Sequence, residues 1–340
     1  MADLFLDPRL SDYYVERDWR SIERDDAGRD QIVADFLEER IAIIHGLDID
    51  RIDFDLLETV KFPQTWAMKK FQFQALIDQA KAGGSGALYN EVLQSSFKGD
   101  RGRVEAFVEQ LTIIDGIATR VIDRVLGHLQ LSNMIKVVRF CETRMEALHN
   151  DIDPSSDDHE AFRFYINLDA YPRIWATSYT ISELMREGGQ KLCAGIDPEW
   201  PAEMILKRAI TRAYGGWNQR ATERKAPRHQ VYFDPGDVWI VDGRSVSHQV
   251  MSGHRVLSVY VKIPHAGNPQ LTPTFAQKIR SGLAEGLQRP VGSETAIVNY
   301  FMPQDITSAS NVKEDWATVF GETRTGRLRR FDDTGLALAG

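Results

Sequence analysis

The period of the hydrophobic pattern changes near residue 132. Before it, apolar residues recur at helical spacing. In DQIVADFLEERIAIIHGL (residues 30–47) Ile32, Val33, Phe36, Ile41 and Ile44 share one helical face, and the spacing predicts a helix. FPQTWAMKKFQFQALIDQAKAGG has a proline near its first turn and stops at Gly83 and Gly84, which predicts a second. From residue 103 to about 129 apolar positions fall at i, i+3, i+4 and i+7 over a long third helix. Beyond residue 132 the runs MIKVVRFCE, FRFYINLD, RIWATSY, QVYF, VWIV and RVLSVYVKI are short and rich in β-branched and aromatic residues, and they predict strands. ISELMREGGQKL and PAEMILKRAITRAYGG interrupt them as helices, and a last helix is expected over 272–287. PGD (235–237) and SGH (252–254) read as tight turns, the second closing a hairpin between VWIVDGRSVS and RVLSVYVKI. The chain thus divides into a helical N-terminal region (1–132), a β-rich core (133–265) with a helical insert near 181–215, and a C-terminal helical cover and tail (266–340). Many short strands in one compact region favour a sandwich or barrel in an α+β fold over a parallel doubly wound sheet.

Composition narrows the class. With 43% apolar and 26% charged residues, the 340-residue chain is an ordinary globular protein that can bury a core without staples. A net charge of −8 argues against a nucleic-acid partner. Cys141 and Cys193, the two cysteines, are too few for a disulfide framework or a thiolate zinc site and point to a reducing, cytoplasmic location. The acidic, aromatic N-terminus carries no signal-type apolar stretch, and no run approaches the roughly 18 apolar residues of a spanning helix. GGSG (83–86) is a loop and matches no phosphate-cradling motif.

The β-rich core also carries candidate chemistry. His149-Asn150-Asp151 follows one β-run, and His248 follows another. Two imidazoles and one carboxylate can occupy one face of an octahedral ion and leave the opposite face open, the facial triad of non-haem Fe(II) oxygenases. On an extended segment, residues i and i+2 point to the same side, so His149 and Asp151 can act together. The plain alternative is a surface loop in which one of eight histidines happens to precede an aspartate by two.

The flanking strands alternate. In RVLSVYVKI, Arg255, Leu257, Val259 and Val261 share one face, and Val256, Ser258, Tyr260 and Lys262 the other. The first face is the more apolar and is expected to point inward. Arg255 would then need an anionic partner: a dicarboxylate cosubstrate, or an internal acidic residue. In FRFYINLD, the face with Arg163, Tyr165 and Asn167 either lines a site or meets solvent. If it lines a site, Tyr165 and Asn167 can donate to a carboxylate and Arg163 is a second anchor. Arg173 and Trp175 could hold an acidic substrate at a mouth, or form a surface cation–π pair. His45 and His128 are expected in helices, His159, His229 and His265 in polar loops, and His254 in the hairpin turn.

The combination of His149-x-Asp151, His248 and Arg255 resembles the Fe(II)- and 2-oxoglutarate-dependent dioxygenase superfamily. Within it, residues 140–265 are similar to the bacterial Kdo hydroxylase family, which hydroxylates an eight-carbon sugar acid of lipopolysaccharide. That similarity rests on FRFYINLDAYPRIW, on QVYFDPGDVWIVDGRSVSHQVMSGHRVLSVYVKIP, and on a helix ending in AYGGWNQRATERKAP between them. The resemblance implies a double-stranded β-helix (jelly-roll, cupin-like) barrel wrapped by helices. It implies Fe(II) held by His149, Asp151 and His248, with 2-oxoglutarate and O₂ as cosubstrates. Arg255, with Tyr165 or Asn167, would bind the far carboxylate of 2-oxoglutarate. The Arg255 position departs from that family, which leaves either an independent anchor at Arg255 or a different residue, such as Arg163, to bind 2-oxoglutarate. The implied reaction oxidises an unactivated C–H bond of a small polar molecule, such as an amino acid, a natural-product intermediate or a sugar acid, and releases succinate and CO₂. Asp151 favours hydroxylation, desaturation or ring formation over halogenation, since related halogenases lack that carboxylate. A Kdo 3-hydroxylase-like enzyme is a narrower alternative. A non-redox metabolite-binding barrel and a metal-dependent cupin-like isomerase or hydrolase are the others. Substrate choice is expected to lie in the helical flanks, and the sequence does not fix the oligomeric state.

Overall fold

The computed structural model describes residues 13–62, 71–144, 148–151, 157–214 and 229–292. Residues 63–70, the Cys141 side chain, residues 215–228 and the tail beyond 292 lie outside that description, and with them parts of two predicted helices.

Among the described residues, eight strands form one curled sheet: β1 (Tyr14–Asp18), β2 (Ile41–His45), β3 (Asn133–Arg144), β4 (His159–Asn167), β5 (Arg173–Thr180), β6 (His229–Phe233), β7 (Val238–Val241) and β8 (Val246–Pro264). Their order is β1-β2-β7-β4-β8-β5-β6, with β3 also paired to β8. All pairs except β1–β2 are antiparallel. The 19-residue β8 is the spine. Its first part pairs with β5 (Thr180↔Val246 to Ile174↔Ser252), and its second part lies between β3 and β4. One strand serving two sets of partners curls the sheet, and the architecture is an α+β, jelly-roll-like barrel. Six predicted strand runs correspond to β3 through β8.

Helices cover the outside: α1 (Trp19–Arg24), α2 (Asp26–Leu37), α3 (Phe54–Thr59), α4 (Gln74–Lys81), α5 (Ala87–Ser95), α6 (Arg101–Leu126), α7 (Ile181–Cys193), α8 (Ala202–Tyr214) and α9 (Phe275–Gln288). α6 forms where the period predicts it. Asp100 caps it by accepting the Arg103 N–H (3.1 Å), and Val104, Phe107, Leu111, Ile114, Ala118, Val121 and Val125 make its buried stripe. Thr274 and Gln277 close a reciprocal capping box at the start of α9. Three apolar clusters result. The largest joins α2, α4, α5 and α6 to Phe162, Phe164, Ile166, Leu257, Val259, Val261 and Ile263 of the sheet. A second joins α7, α8, α9 and Leu148. A third fills the barrel interior with Ile41, Ile43, Trp175, Phe233, Trp239, Val241, Val250 and Val256.

His159 and His229, expected in polar loops, begin β4 and β6 and are buried, and two larger expectations are corrected as well. The helix over 30–47 ends at Leu37, Glu39 takes a positive φ of 61°, and Ile41–His45 continues as β2. A short β-branched run buried on both faces is a strand; periodicity alone does not separate it from a helix. The N-terminal region therefore contributes β1 and β2 to the sheet. The SGH turn does not exist either: residues 252–254, His254 included, lie within continuous β8, and β4 lies between β7 and β8. Gly253 has a packing reason instead, since a Cβ there would come within 2.2 Å of the Arg173 guanidinium.

Candidate metal centre

Residues 148–151 run alongside β8 beyond the end of β3. His149 and His248 exchange both backbone hydrogen bonds (3.0 and 2.8 Å). The Asp151 N–H donates to the Gly243 carbonyl (2.7 Å). Alternation along this extended segment sends Leu148 and Asn150 to one side and His149 and Asp151 to the other. Leu148 anchors the first side, fully buried among α7, α8 and α9.

The second side brings the three predicted ligands together. One donor atom each from His149, Asp151 and His248 lies within 4.8 Å of the others, the spacing of a single ion's ligands. The two imidazole centroids are 4.6 Å apart. The His248 Nδ1 lies 3.0 Å from the Val246 carbonyl, which can only accept, so Nδ1 carries the proton and Nε2 the coordinating lone pair. Trp175 stacks on the His248 ring at 5.1 Å and 15°, fixing its plane. Gly243 leaves the room: a Cβ there would sit 2.5 Å from an Asp151 carboxylate oxygen and 3.2 Å from His248 Cε1.

The triad opens into a cavity of about 490 Å³, within the usual range for small-molecule sites. Arg163, Tyr165, Arg173 and Trp175 line it, as do Gln72, Arg139, Val250, Val256, Ser258 and Tyr260. The Arg163 Nε lies 3.1 Å from Asp151 Oδ2, and its guanidinium sits 4.1 Å over the Tyr260 ring. Burial works against the Arg163 charge. Asp151, with Tyr165, Tyr260 and Asp242, outweighs it and raises the group above its ordinary value. Tyr165 packs between Trp239 and Trp175 (5.2 and 5.1 Å). Arg173 and Trp175 do not form a surface pair; each is 2% exposed. Arg173 occupies the notch left by Gly253, 3.9 Å from buried Asp169.

Two predicted residues are not at this pocket. Arg255 lies on the outer face of β8, the face of Leu257 and Val259. Its guanidinium donates to the carbonyls of Leu57 and Glu58 (2.6 Å each) at the end of α3 and lies 3.4 Å from Asp169. Its anionic partner is thus internal, and the inward face of β8 is the one with Val256, Ser258 and Tyr260. Asn167 is fully buried. It donates to the carbonyls of Tyr171 and Phe233 (2.9 Å each) and accepts the Asp169 N–H (3.1 Å), a turn-fixing role. Sequence reasoning passed over Arg139, Ser258 and Tyr260. The alternation places Ser258 and Tyr260 together, but the polarity of their face predicts the outer side of the barrel, and the structure puts it inside.

No protein-family model matches the chain, and no curated protein matches it. Its structure is similar to solved structures of the Kdo hydroxylase KdoO, a non-haem Fe(II) α-ketoglutarate-dependent dioxygenase. The complex with α-ketoglutarate and Fe(III) superposes with a TM-score of 0.51 at 13% identity, over 81% of this chain and 97% of that one. The cobalt(II) complex gives 0.52 at 13% identity, over 83% and 98%. A structural likeness at this identity establishes the shared fold alone. Among the described residues no helix is long and apolar enough to cross a membrane.

Proposed function

We propose that this protein is an Fe(II)- and 2-oxoglutarate-dependent oxygenase that hydroxylates a small polar molecule. The observation that carries this reading is the convergence of His149, Asp151 and His248 on one point at the wall of a cavity. The donor set fits Fe(II): two imidazoles, one carboxylate, and an open side for exchangeable ligands. With the metal and 2-oxoglutarate bound, the site would couple reduction of O₂ to oxidation of a substrate C–H bond, releasing succinate and CO₂. A cytoplasmic location belongs to the same proposal.

The chain's own residues bind, orient and exclude water. Arg173 is the cation best built to hold the far carboxylate of 2-oxoglutarate. It is buried, seated against Gly253, and lies two residues along β5 from Trp175, which stacks on His248. One strand repeat of about 7 Å separates residues i and i+2, comparable to the length of a five-carbon diacid. Arg163 lies 3.1 Å from Asp151 Oδ2 and so holds the orientation of that carboxylate beside the two imidazoles. Trp175, Val250 and Val256 give the wall beside the triad an apolar surface that limits water.

The test is anaerobic addition of Fe(II) and 2-oxoglutarate to the purified protein. A visible metal-to-ligand charge-transfer band is expected in the wild type and not in His248→Ala. The reading falls if the wild type gives no band. Substrate-dependent succinate release across sugar acids (a Kdo-containing glycolipid among them), free amino acids and carrier-bound amino acids then identifies the substrate.

A further inference from the structure

The middle residue of the His-x-Asp segment is turned away from the metal centre. Asn150 is 5% exposed and points to the opposite side of the strand from His149 and Asp151. Its amide is used at both ends. Nδ2 donates to the Arg244 carbonyl (3.0 Å), and Oδ1 accepts from the Ser247 hydroxyl (2.7 Å). Arg244 adjoins Gly243, whose carbonyl receives the Asp151 N–H; Ser247 adjoins His248. One side chain therefore ties the segment bearing two of the ligands to both ends of the stretch leading to the third.

That stretch is itself held from behind. The Arg244 guanidinium is buried; it donates to both oxygens of Asp242 (2.9 Å each), to the His159 carbonyl (2.8 Å) and to Glu160 (2.8 Å). It also lies 4.3 Å over the Phe275 ring. The other oxygen of Glu160 accepts the Phe275 N–H at the start of α9 (2.7 Å) and meets His265 Nε2 (3.0 Å). The turn over residues 242–245 is thereby fastened to β4 and α9 by charge-assisted bonds in a water-poor environment, where such bonds are strongest.

We infer that Asn150 is a positioning residue. With the Arg244-braced turn it forms a clamp that fixes the spacing of His149, Asp151 and His248 before a metal arrives, and so sets the site's affinity for a divalent cation. The inference rests on the oxygenase reading only in taking these three side chains as metal ligands. A preset site avoids ordering its ligands on binding, and loss of such an outer partner costs about 10- to 100-fold in metal affinity. The two bonds share one side chain, so their removal should be non-additive.

The experiment uses the full chain and Co(II) alone, with calorimetry for affinity and the visible d–d spectrum for ligand geometry. Asn150→Ala is expected to weaken Co(II) binding about 10- to 100-fold and alter the spectrum. Ser247→Ala, which deletes only a hydroxyl, should weaken it roughly threefold. The double variant should be no worse than Asn150→Ala. Ile77→Ala, a core truncation on α4 away from the site, should lower the melting temperature but leave Co(II) affinity intact. Wild-type affinity in Asn150→Ala overturns the inference. So does a loss in Ile77→Ala that scales with its melting temperature, because the effect would then be general destabilisation. If Asn150→Ala does not fold, Ser247→Ala decides: unchanged affinity refutes the clamp. Normal Co(II) binding without the Fe(II)–2-oxoglutarate band strikes the oxygenase reading and leaves the clamp standing. A wild type that binds no Co(II) strikes both.

Discussion

The two faces of β4 and β8 are made by the same alternation and do opposite work. On the outer face Phe162, Phe164, Ile166, Leu257, Val259 and Val261 pack under α2 and α6 in the largest apolar cluster. On the inner face Arg163, Tyr165, Ser258 and Tyr260 line the cavity of the candidate metal centre. In an isolated barrel the more apolar face would be the inside. Here a helical layer takes that face, and the inside holds a site for water-soluble ligands. Arg255 and Arg173 mark the difference. Arg255, on the outer face, terminates α3 by donating to two of its carbonyls; Arg173, on the inner face, is buried at the cavity. The more apolar face of a strand thus identifies the deeper packing partner, not the barrel interior.

The inner face carries the largest expected effect. His248→Ala should abolish the Fe(II)–2-oxoglutarate band and reduce 2-oxoglutarate-dependent succinate formation by at least about 100-fold, as expected when a metal loses one of three protein ligands. Retained activity would mean that the inner-face triad is not the metal site.

The paired arginines give the next largest effect. Arg173→Gln removes a charge-assisted carboxylate contact of about 1.5–3 kcal/mol, so half-saturation by 2-oxoglutarate should rise about 10- to 100-fold. Arg255→Gln should leave that half-saturation unchanged. It should instead lower stability by about 1–3 kcal/mol, since it removes the guanidinium from the part-buried carbonyls of Leu57 and Glu58. Denaturant melts and 2-oxoglutarate titrations of both variants separate the roles. The reverse pattern would restore Arg255 as the anchor and undo the assignment of the faces.

Much of this was legible in the chain. The six β-runs after residue 132 are strands because β-branched and aromatic residues fit a pleated, half-buried surface, and His149, Asp151 and His248 converge as their spacing suggested. What was not legible depends on the third dimension. β2 lies in a run whose apolar spacing also suits a helix, and only its pairing with β7 settles the matter. Gly253 resembles a turn residue until the Arg173 guanidinium is seen to need its missing side chain. The clamp at Asn150 was hidden because its partners, the Arg244 carbonyl and the Ser247 hydroxyl, lie about a hundred residues away and carry no pattern of their own.

The smallest effect tests whether every polar group inside the barrel belongs to the site. His45, on the face of Ile41 and Ile43, has its Nδ1 2.8 Å from Asp237 at the start of β7, the strand end opposite the metal centre. Its hydrogen bond to Asp237 holds the imidazolium above its usual value, against the opposing effect of burial. A histidine raised in the folded state adds stability that is complete below its unfolded value, near 6.5, and that fades as pH rises through the folded value. Burial also pushes Asp237 up, against the pull of His45, and Asp237 is present in both proteins being compared. The wild type should therefore lose about 1 °C more than His45→Gln in melting temperature between pH 6 and pH 9, because a partly exposed pair is screened by solvent. Co(II) affinity at fixed pH should be the same in both proteins. A fall in that affinity in His45→Gln would show that the far end of the inner face is coupled to the metal centre, and the division between a structural end and a chemical end would have to be abandoned.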